Sequence, residues 1–296
     1  MKIAIIGASG FIGRNLIKHL LSNTDHSIFA ISPNVDNIVV DQKYKDRIEK
    51  INTSVFDYDD MLKALTDIDI AYYLVHMMAN DKKDFYEKEA LAADTAGRAL
   101  KSANVKRVIY MSGLGNDKDN LSKHLASRHN TGNILRTYMK EVIELRASMV
   151  IGSESISFEI VRNLVEKTPM ITLPKWSNTK TQPIGIDDAL LYLEKSIDVK
   201  IDGSEIVEIG GKEVMSYIDF VKKYAKFRNK KTIIFRIPIL SEKIAGLFLR
   251  VFTPKDQAQV GKCMLDSFRN EMIVINNHAS ELFPDIHPRK IEEFFI

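Results

Sequence analysis

The sequence contains a single cysteine, Cys263, and little that would tie the chain to nucleic acid. One cysteine excludes an internal disulfide and a zinc site built from cysteines, and it is typical of a reducing compartment, so we predict a cytoplasmic protein. Lysine and arginine are spread along the chain, and the formal net charge is only +3. Without a basic tail or stripe, we predict no nucleic-acid partner.

Long hydrophobic runs are also missing. The most apolar later stretch, residues 233–252, is interrupted by Arg236, Glu242, Lys243 and Arg250. A spanning helix needs about 20 consecutive, predominantly apolar residues. We therefore predict no transmembrane segment and interpret this stretch as an amphipathic segment that packs on the core. The sequence has no acidic pair or histidine cluster that suggests a metal, so no metal site is expected.

The first half of the chain alternates short apolar runs with helical patterns. Strands are predicted at residues 2–6, 27–31, 47–51, 68–75, 107–111 and 142–146, with helices at 11–21, 58–66, 83–104 and 121–139. Strands separated by helices favour parallel pairing with right-handed crossovers. The pattern predicts an α/β protein with a Rossmann-type, doubly wound parallel sheet.

A glycine-rich loop joins the first predicted strand to the first predicted helix. Gly7, Gly10 and Gly13 form a G-x-x-G-x-x-G pattern. The first glycine permits the tight turn, the second lets the backbone approach a pyrophosphate, and the third lets the helix pack closely on the strand. The amides of the helix N-terminus then face the anion. A glycine pattern between a strand and a helix at this spacing indicates an NAD(P)-binding loop. The other candidate contacts of the segment are Ser9, Phe11, Ile12 and Arg14.

The residues after the second strand bear on the choice between NAD and NADP. An acidic side chain there would bond the free ribose 2′ hydroxyl and repel a 2′ phosphate, but no acid occurs before Asp36. Ser32 and Asn34 can hydrogen-bond a phosphate, and Arg14 can add positive charge. We therefore predict NADP as the preferred cofactor, with NAD as the alternative.

The pattern changes after residue 151. Helices are predicted at 155–167, 186–197, 217–226, 242–252 and 258–269, strands at 205–209 and 272–275, and an irregular stretch at 170–180. We predict that residues 1–152 form the NAD(P)-binding domain, completed by about residues 180–210. Residues 153–296 supply the remainder, a smaller C-terminal lobe on the substrate side.

Several segments together resemble the atypical and extended short-chain dehydrogenase/reductase superfamily, within its NAD(P)-binding, nucleoside-diphosphate-sugar epimerase-like group. The resemblance covers most of the chain. The segments are residues 7–13, 71–76, 105–115, 121–128, 145–147 with 151–153, and 181–184 with 187 and 188. The resemblance implies a bound NAD(P), a small-molecule substrate, and oxidoreductase or epimerase chemistry.

The resemblance also implies positions for the rest of the site. Val55 would lie beside the adenine, and the superfamily usually has an Asp where Ser54 stands. Ser112 would end the fifth strand, where the superfamily has its catalytic serine. The residues implied to line the cofactor after the fourth strand are Leu74, Val75 and His76.

The largest departure from the superfamily concerns catalysis. The register that holds Tyr-x-x-x-Lys in active reductases holds His124 and Arg128 here. In the usual chemistry the tyrosine exchanges a proton with the substrate, while the lysine lowers the tyrosine pKa and holds the ribose. Histidine can exchange a proton near neutral pH, and arginine can hold the ribose. The candidate catalytic residues are Ser112, His124 and Arg128.

Two functions remain open on sequence grounds. One is an NAD(P)-dependent oxidoreductase or epimerase-like enzyme that acts on a small molecule. The other is a protein that binds NADP(H) without turnover and serves a regulatory protein partner as a redox sensor or assembly factor. The glycine loop and Ser112 favour the enzyme, whereas the missing tyrosine and lysine favour the binding protein. A deep cleft faced by His124 would support catalysis.

Overall fold

The computed structural model describes residues 1–77, 85–168, 170–231, 233–237 and 267–295. The strands are β1 (Lys2–Ile6), β2 (Ser27–Ile31), β3 (Ile48–Ile51), β4 (Ile70–Tyr73), β5 (Arg107–Gly113), β6 (Glu141–Ala147), β7 (Val150–Ile151), β8 (Met170–Pro174), β9 (Lys180–Thr181), β10 (Ile184–Gly185), β11 (Glu205–Ile209), β12 (Met215–Ser216) and β13 (Ile233–Ile237). The α-helices are α1 (Phe11–Asn23), α2 (Tyr58–Ala64), α3 (Phe85–Ser102), α4 (Lys123–Tyr138), α5 (Ile156–Lys167), α6 (Ile186–Lys195), α7 (Tyr217–Phe227) and α8 (His278–Leu282). Short 3-10 helices lie at Val35–Asn37, Gln42–Arg47, Lys175–Asn178 and Ile291–Phe294.

Within these ranges the main sheet has seven strands in the order β11-β6-β5-β4-β1-β2-β3. Every neighbouring pair is parallel. This confirms the predicted Rossmann-type α/β fold. The strand order reverses between β1 and β4, and ligands of such sheets bind beyond the carboxyl ends of the strands at that point.

Both faces of the sheet are covered, which explains the near-continuous apolar character of its central strands. All four residues of β4 are buried. Helices α1 and α6 cover one face through residues such as Leu16 and Leu193. The other face carries α3, whose buried stripe includes Ala92, Ala96 and Ala99. These small side chains at helical spacing let α3 lie close to the sheet.

A separate aromatic core holds the later part of the chain together. Phe158 of α5 stacks on Phe295 with ring centroids 5.7 Å apart, and Tyr224 of α7 meets both rings edge-on. Strands β8 and β13 pair in parallel beside it. The predicted irregular stretch at 170–180 is therefore wrong for residues 170–174. Its strand character depends on a partner far away in sequence, which local patterns do not show.

The predicted strand at 272–275 is also wrong. Only Met272 forms a bridge, with Thr181. The amides beyond it are taken by side chains instead: Val274 N donates to Gln182 Oε1 and Ile275 N to Glu208 Oε2. The predicted helix at 242–252 and most of that at 258–269 lie outside the described residues. No helix in the described part of the chain is long and apolar enough to cross a membrane.

Candidate active site

A cavity of about 600 Å³ opens at the carboxyl ends of β1, β4 and β5. This volume is within the range typical of small-molecule sites. The predicted site residues that line it are Gly7, Ser9, Gly10, Phe11, Ile12, Gly13, Ser32, Ser54, Val55, Leu74, Val75, His76, Ser112, His124 and Arg128. Of the residues predicted to contact the cofactor, Arg14 and Asn34 are not among the lining residues. The fold therefore gathers residues from six separate chain segments around one space.

The glycine loop has the shape that a pyrophosphate requires. Gly7 has φ +91°, and a Cβ there would come within 2.8 Å of the Leu74 carbonyl carbon. A Cβ on Gly13 would come within 2.6 Å of the Gly7 oxygen. At Gly10 the same atom would meet only that oxygen, at 3.3 Å, so its other side faces the cavity. Gly10 begins α1 without a side-chain cap, which leaves the first-turn amides for an anion.

Unpaired hydroxyl groups provide a second indication of a ligand. The side-chain oxygens of Thr53, Ser112 and Ser148 are buried and have no hydrogen-bond partner within the described ranges. All three residues line the cavity. A buried hydroxyl without a partner costs free energy, so each of these positions suits a polar group of a bound molecule. Together with the glycine loop, they fit a dinucleotide.

The cavity end near β2 is the place where the ribose 2′ position would be recognised. Ser32 Oγ lies 2.6 Å from Ser9 Oγ and accepts from the Asn34 amide at 3.2 Å. Arg14 donates to the Ser9 carbonyl and to Glu154 Oε2, the latter at 2.5 Å. The positive charge of Arg14, which we expect to favour a 2′ phosphate, is thus paired with the carboxylate of Glu154.

Two histidines meet beside the other end of the cavity. His76 follows β4, and His124 lies in the first turn of α4, which Ser122 caps by accepting from the Leu125 amide. The two Nε2 atoms are 3.0 Å apart, so one ring must donate and the other accept. The rings are tilted with centroids 4.9 Å apart, and Phe85 stacks on His124 at 6.3 Å.

A buried carboxylate extends this contact into a chain of hydrogen bonds. Glu89 of α3 is 3% exposed, and its Oε1 lies 3.0 Å from His76 Nδ1 while also accepting from the Met77 amide. Ser127 donates to its other oxygen. At the far end, His124 Nδ1 lies 2.8 Å from Ser267 Oγ. The chain therefore runs from Glu89 through both imidazoles to Ser267.

Arg128 occupies the position predicted to hold the ribose, but its guanidinium bonds to the protein. Nη1 donates to the Val75 carbonyl at 3.0 Å, and Nη2 donates to the Met111 carbonyl. Nη1 also lies 3.7 Å from Glu89, and the Tyr110 ring lies under the guanidinium. Arg128 therefore links the ends of β4 and β5 and balances the charge of Glu89.

The electrostatic surroundings set the protonation of the chain. Burial, followed by the charge of Arg128, lowers the pKa of His76. Burial, then His76 and Arg128, lower the pKa of His124 to about 3. Burial alone would raise the pKa of Glu89, yet its hydrogen bond with His76 and the charge of Arg128 lower it to about 2. At neutral pH both imidazoles are neutral and the carboxylate is ionised.

These states indicate the direction of the hydrogen bonds along the chain. His76 Nδ1 lies 3.0 Å from Glu89 Oε1, which only accepts, and 3.3 Å from Arg128 Nη1, which only donates. The shorter contact, with the carboxylate, assigns the proton to Nδ1, so that Nε2 accepts and Arg128 Nη1 donates to the Val75 carbonyl. His124 then donates from Nε2, and its Nδ1 accepts from the Ser267 hydroxyl. This assignment follows from the network, since tautomers are inferred rather than seen.

Sequence reasoning missed Glu89, Ser127 and Ser267. Glu89 did leave a signal, because it shares the buried helical stripe of Ala92 and Ala96, where an acidic side chain requires a partner. Ser267 left none, since it lies far along the chain from the histidine that it contacts. Within the described residues, no group of three or more His, Cys, Asp or Glu side chains is placed to hold a metal ion.

The fold, the glycine loop and the cavity define a Rossmann-type dinucleotide-binding protein. The model of the NAD(P)H-binding family matches residues 7–163, which is more than half of the chain, and the chain belongs to that family. This agrees with the resemblance predicted from the motifs and confirms NAD(P) as the cofactor class.

Solved structures share this fold across the whole chain. Triphenylmethane reductase from Citrobacter sp. aligns over 100% of this chain and 98% of its own with a TM-score of 0.78 and 16% identity. A nucleoside-diphosphate-sugar epimerase from Staphylococcus aureus aligns over 100% of this chain and 99% of its own, with a TM-score of 0.76 and 14% identity. The NADPH-dependent quinone oxidoreductase of Escherichia coli, complexed with NADPH, aligns over 98% of this chain and 97% of its own, with a TM-score of 0.75 and 19% identity.

A curated relative matches a smaller part of the chain. The auxiliary protein GraX of Staphylococcus aureus (strain NCTC 8325 / PS 47) is 31% identical over 128 residues, 41% of this chain and 39% of that protein. The chain thus covers well under half the length of this relative.

Proposed function

We propose that the protein is an NAD(P)H-dependent reductase of uncharged carbonyl or quinone compounds. The observation that carries the proposal is the chain of Glu89, His76 and His124, which ends at an open cavity beside the glycine loop. A reductase needs a hydride and a proton at the same place. NAD(P)H supplies the hydride when bound, and the histidine pair is a source of the proton.

The residues of this chain then have separate roles. The amides around Gly10 hold the pyrophosphate, and the unpaired Ser112 Oγ donates a hydrogen bond to the substrate oxygen, which gains negative charge during reduction. Arg128 fixes the ends of β4 and β5, and through Glu89 it orients His76. The histidine pair, after taking up a proton from water, supplies the proton that the tyrosine of the superfamily usually supplies, and Glu89 and Arg128 hold the pair in place.

The character of the cavity supports the substrate class. Its lining includes several methionine and phenylalanine side chains, which suit a flat apolar molecule. They are Met77, Met111, Met149, Met272, Phe11, Phe56 and Phe268. Two proteins of the same fold are named for the reduction of triphenylmethane dyes and of quinones, and such aromatic acceptors suit this lining.

The experiment that tests the proposal measures oxidation of NADPH and NADH by absorbance with quinones, aromatic aldehydes, triphenylmethane dyes and nucleotide sugars. We expect turnover with the aromatic acceptors and none with nucleotide sugars. Epimerisation consumes no NAD(P)H, so the nucleotide sugars are also analysed for products by chromatography, and their conversion alone would make the protein an epimerase-like enzyme. No oxidation of either cofactor by any acceptor would contradict the proposed activity.

A second candidate function is a non-catalytic NADP(H)-binding protein that acts on a regulatory protein partner. The observation that favours it is the 31% identity with a protein named as auxiliary. Inactivity with every acceptor, together with tight NADPH binding by calorimetry, would favour this candidate over the enzyme.

A further inference from the structure

We propose that His129 positions Ser112 for reaction by holding the peptide unit that follows Gly113. The inference rests on the proposed reductase function, in which the Ser112 hydroxyl donates to the substrate oxygen. His129 lies on α4, is 4% exposed and is not among the residues that line the cavity. It therefore acts on the substrate through Ser112 and not by contact, as a positioning residue.

The peptide unit between Gly113 and Leu114 is held on both sides. Its carbonyl oxygen lies 2.8 Å from His129 Nε2, and because a carbonyl only accepts, that nitrogen donates. Its N–H, on Leu114, donates to the Ala147 carbonyl of β6 at 2.8 Å. Ser112 stands directly before Gly113, which is the last residue of β5. The two bonds therefore fix the backbone at the point where the strand delivers Ser112 to the cavity.

Asp117, in the loop between β5 and α4, orients the His129 ring from the other side. One of its carboxylate oxygens contacts His129 Nδ1, and the other accepts from Arg146 Nη1 at 2.9 Å. Burial alone would raise the pKa of Asp117, but the hydrogen bond with Arg146 and the charge of His129 lower it. The imidazolium form of His129 donates to this carboxylate and to the Gly113 carbonyl at the same time.

A buried network of charges supports this arrangement from below. Arg146 donates through Nε to Glu144 Oε1 at 2.9 Å, and Arg136 of α4 donates to the other carboxylate oxygen at 2.5 Å. Glu144 is fully buried, so its charge requires both partners. The backbone of α4 lies close to it, because a Cβ on Gly132 would come within 2.1 Å of Glu144 Oε2. The network thus ties α4, which carries His129, to β6.

The end of β5 needs this support because packing places a glycine there. A Cβ on Gly113 would come within 2.7 Å of Leu125 Cδ2, so the approach of α4 favours glycine at this position. Glycine has more backbone freedom than any other residue, and the bond from His129 restricts it. A misplacement of about 1 Å in a group that acts on the substrate can cost about 10²-fold in rate. The position of Ser112 therefore depends on His129.

The experiment compares two substitutions that separate the contacts of the His129 ring. The side-chain nitrogen of glutamine can take the place of Nε2 and keep the bond to the Gly113 carbonyl. The shorter side chain of asparagine can take the place of Nδ1 and keep only the contact with Asp117. We expect His129→Asn to lower kcat about 10- to 100-fold and His129→Gln to keep kcat within about threefold of the native value.

The other constants separate positioning from a general structural role. In both variants the KM for the acceptor and the Kd for NADPH should change by less than about threefold, because the lost alignment acts in the transition state. Asp117→Ala, at an exposed position, leaves the ring in place without its orienting carboxylate and should lower kcat in the same direction. His278→Asn, at the edge of the sheet against Glu205, controls for the loss of an imidazole.

A second measurement does not need turnover. Hydrogen exchange followed by NMR should show the Leu114 amide exchanging at least about tenfold faster in His129→Asn than in His129→Gln, with the Ile109 amide in the middle of β5 unchanged between them. An active native protein whose two His129 variants have equal kcat values overturns this inference alone. Equal exchange of Leu114 in the two variants overturns it whatever the activity. A native protein inert with every acceptor overturns the proposed function, and this inference with it.

Discussion

Arg14 and Glu154 form an ion pair of 2.5 Å that joins the first turn of α1 to the loop before α5. Arg14 is the cation that the sequence offers for a 2′ phosphate, and Glu154 competes with the phosphate for it. The hydrogen bond with Arg14 lowers the pKa of Glu154, and this effect is larger than the opposing effect of burial, which would raise the pKa. The carboxylate therefore stays ionised under physiological conditions.

We expect Glu154→Gln to strengthen NADP binding. Glutamine keeps the size of the side chain but removes the competing charge, and an exposed pair of this kind contributes up to about 1 kcal/mol, a few-fold in Kd. NAD lacks the phosphate and should bind unchanged. Calorimetry with both cofactors measures this, with Glu159→Gln in the first turn of α5 as a control for charge. An equal change in both affinities would contradict the role of Arg14.

Replacing Gly10 with valine should abolish dinucleotide binding. The Cβ itself would meet only the Gly7 oxygen within 4 Å, but the side chain would extend into the space expected for the pyrophosphate. Thermal unfolding should show that the variant remains folded, and calorimetry should show at least a hundredfold loss of affinity. If Gly10→Val bound the dinucleotide with native affinity, the pyrophosphate would not be bound by this loop.

The parts of the site that could be predicted from the sequence are those built from neighbouring residues. The glycine loop is one contiguous segment, so Gly7, Gly10 and Gly13 are recognisable by spacing alone. His124 and Arg128 lie one turn apart on one helix, which places both beside the cavity. Such local arrangements follow from the geometry of strands and helices.

The parts that could not be predicted depend on contacts between distant segments. The pairing of His76 with His124 joins the end of β4 to the start of α4, and the Ser267 contact spans a still longer stretch of chain. The contacts of Arg128 could not be predicted for the same reason. Its guanidinium donates to the Val75 and Met111 carbonyls, which lie at the ends of two strands that are far apart in the sequence.

Arg128→Ala should therefore lower stability as well as cofactor affinity. The change leaves Glu89 buried without its cation, and breaking a buried pair in this way typically costs about 3–5 kcal/mol. Urea unfolding measures the loss. Glu89→Gln in the same protein should restore part of it, because the unpaired charge is gone. A double variant that loses as much as the sum of the single variants would show that the two side chains are not coupled.

His124→Ala should lower the reduction rate by about 10²–10⁴-fold, the usual range for a residue that moves the catalytic proton. Cofactor binding should barely change, because the pyrophosphate is held by the loop after β1. The assay is NADPH oxidation with the best aromatic acceptor, alongside calorimetry. His19→Gln is the matched control, since His19 lies on α1 against Glu194. A His124→Ala variant with the native rate would exclude the histidine pair from catalysis.

The low pKa of Glu89 links folding to pH. The pKa falls from an ordinary value of 4.5 to about 2 in the folded protein, so the unfolded state binds more protons between these values. The resulting stabilisation is complete above pH 4.5 and is lost as the pH falls toward 2, and by linkage it is of order 3 kcal/mol. Urea unfolding of the native protein and Glu89→Gln between pH 3 and 7 should give a difference that is largest at neutral pH and shrinks below pH 4.5. Glu49→Gln, at an exposed position on β3, controls for the loss of one negative charge. A difference that stays constant across this range would mean that His76 and Arg128 do not lower the pKa of Glu89 in the folded protein.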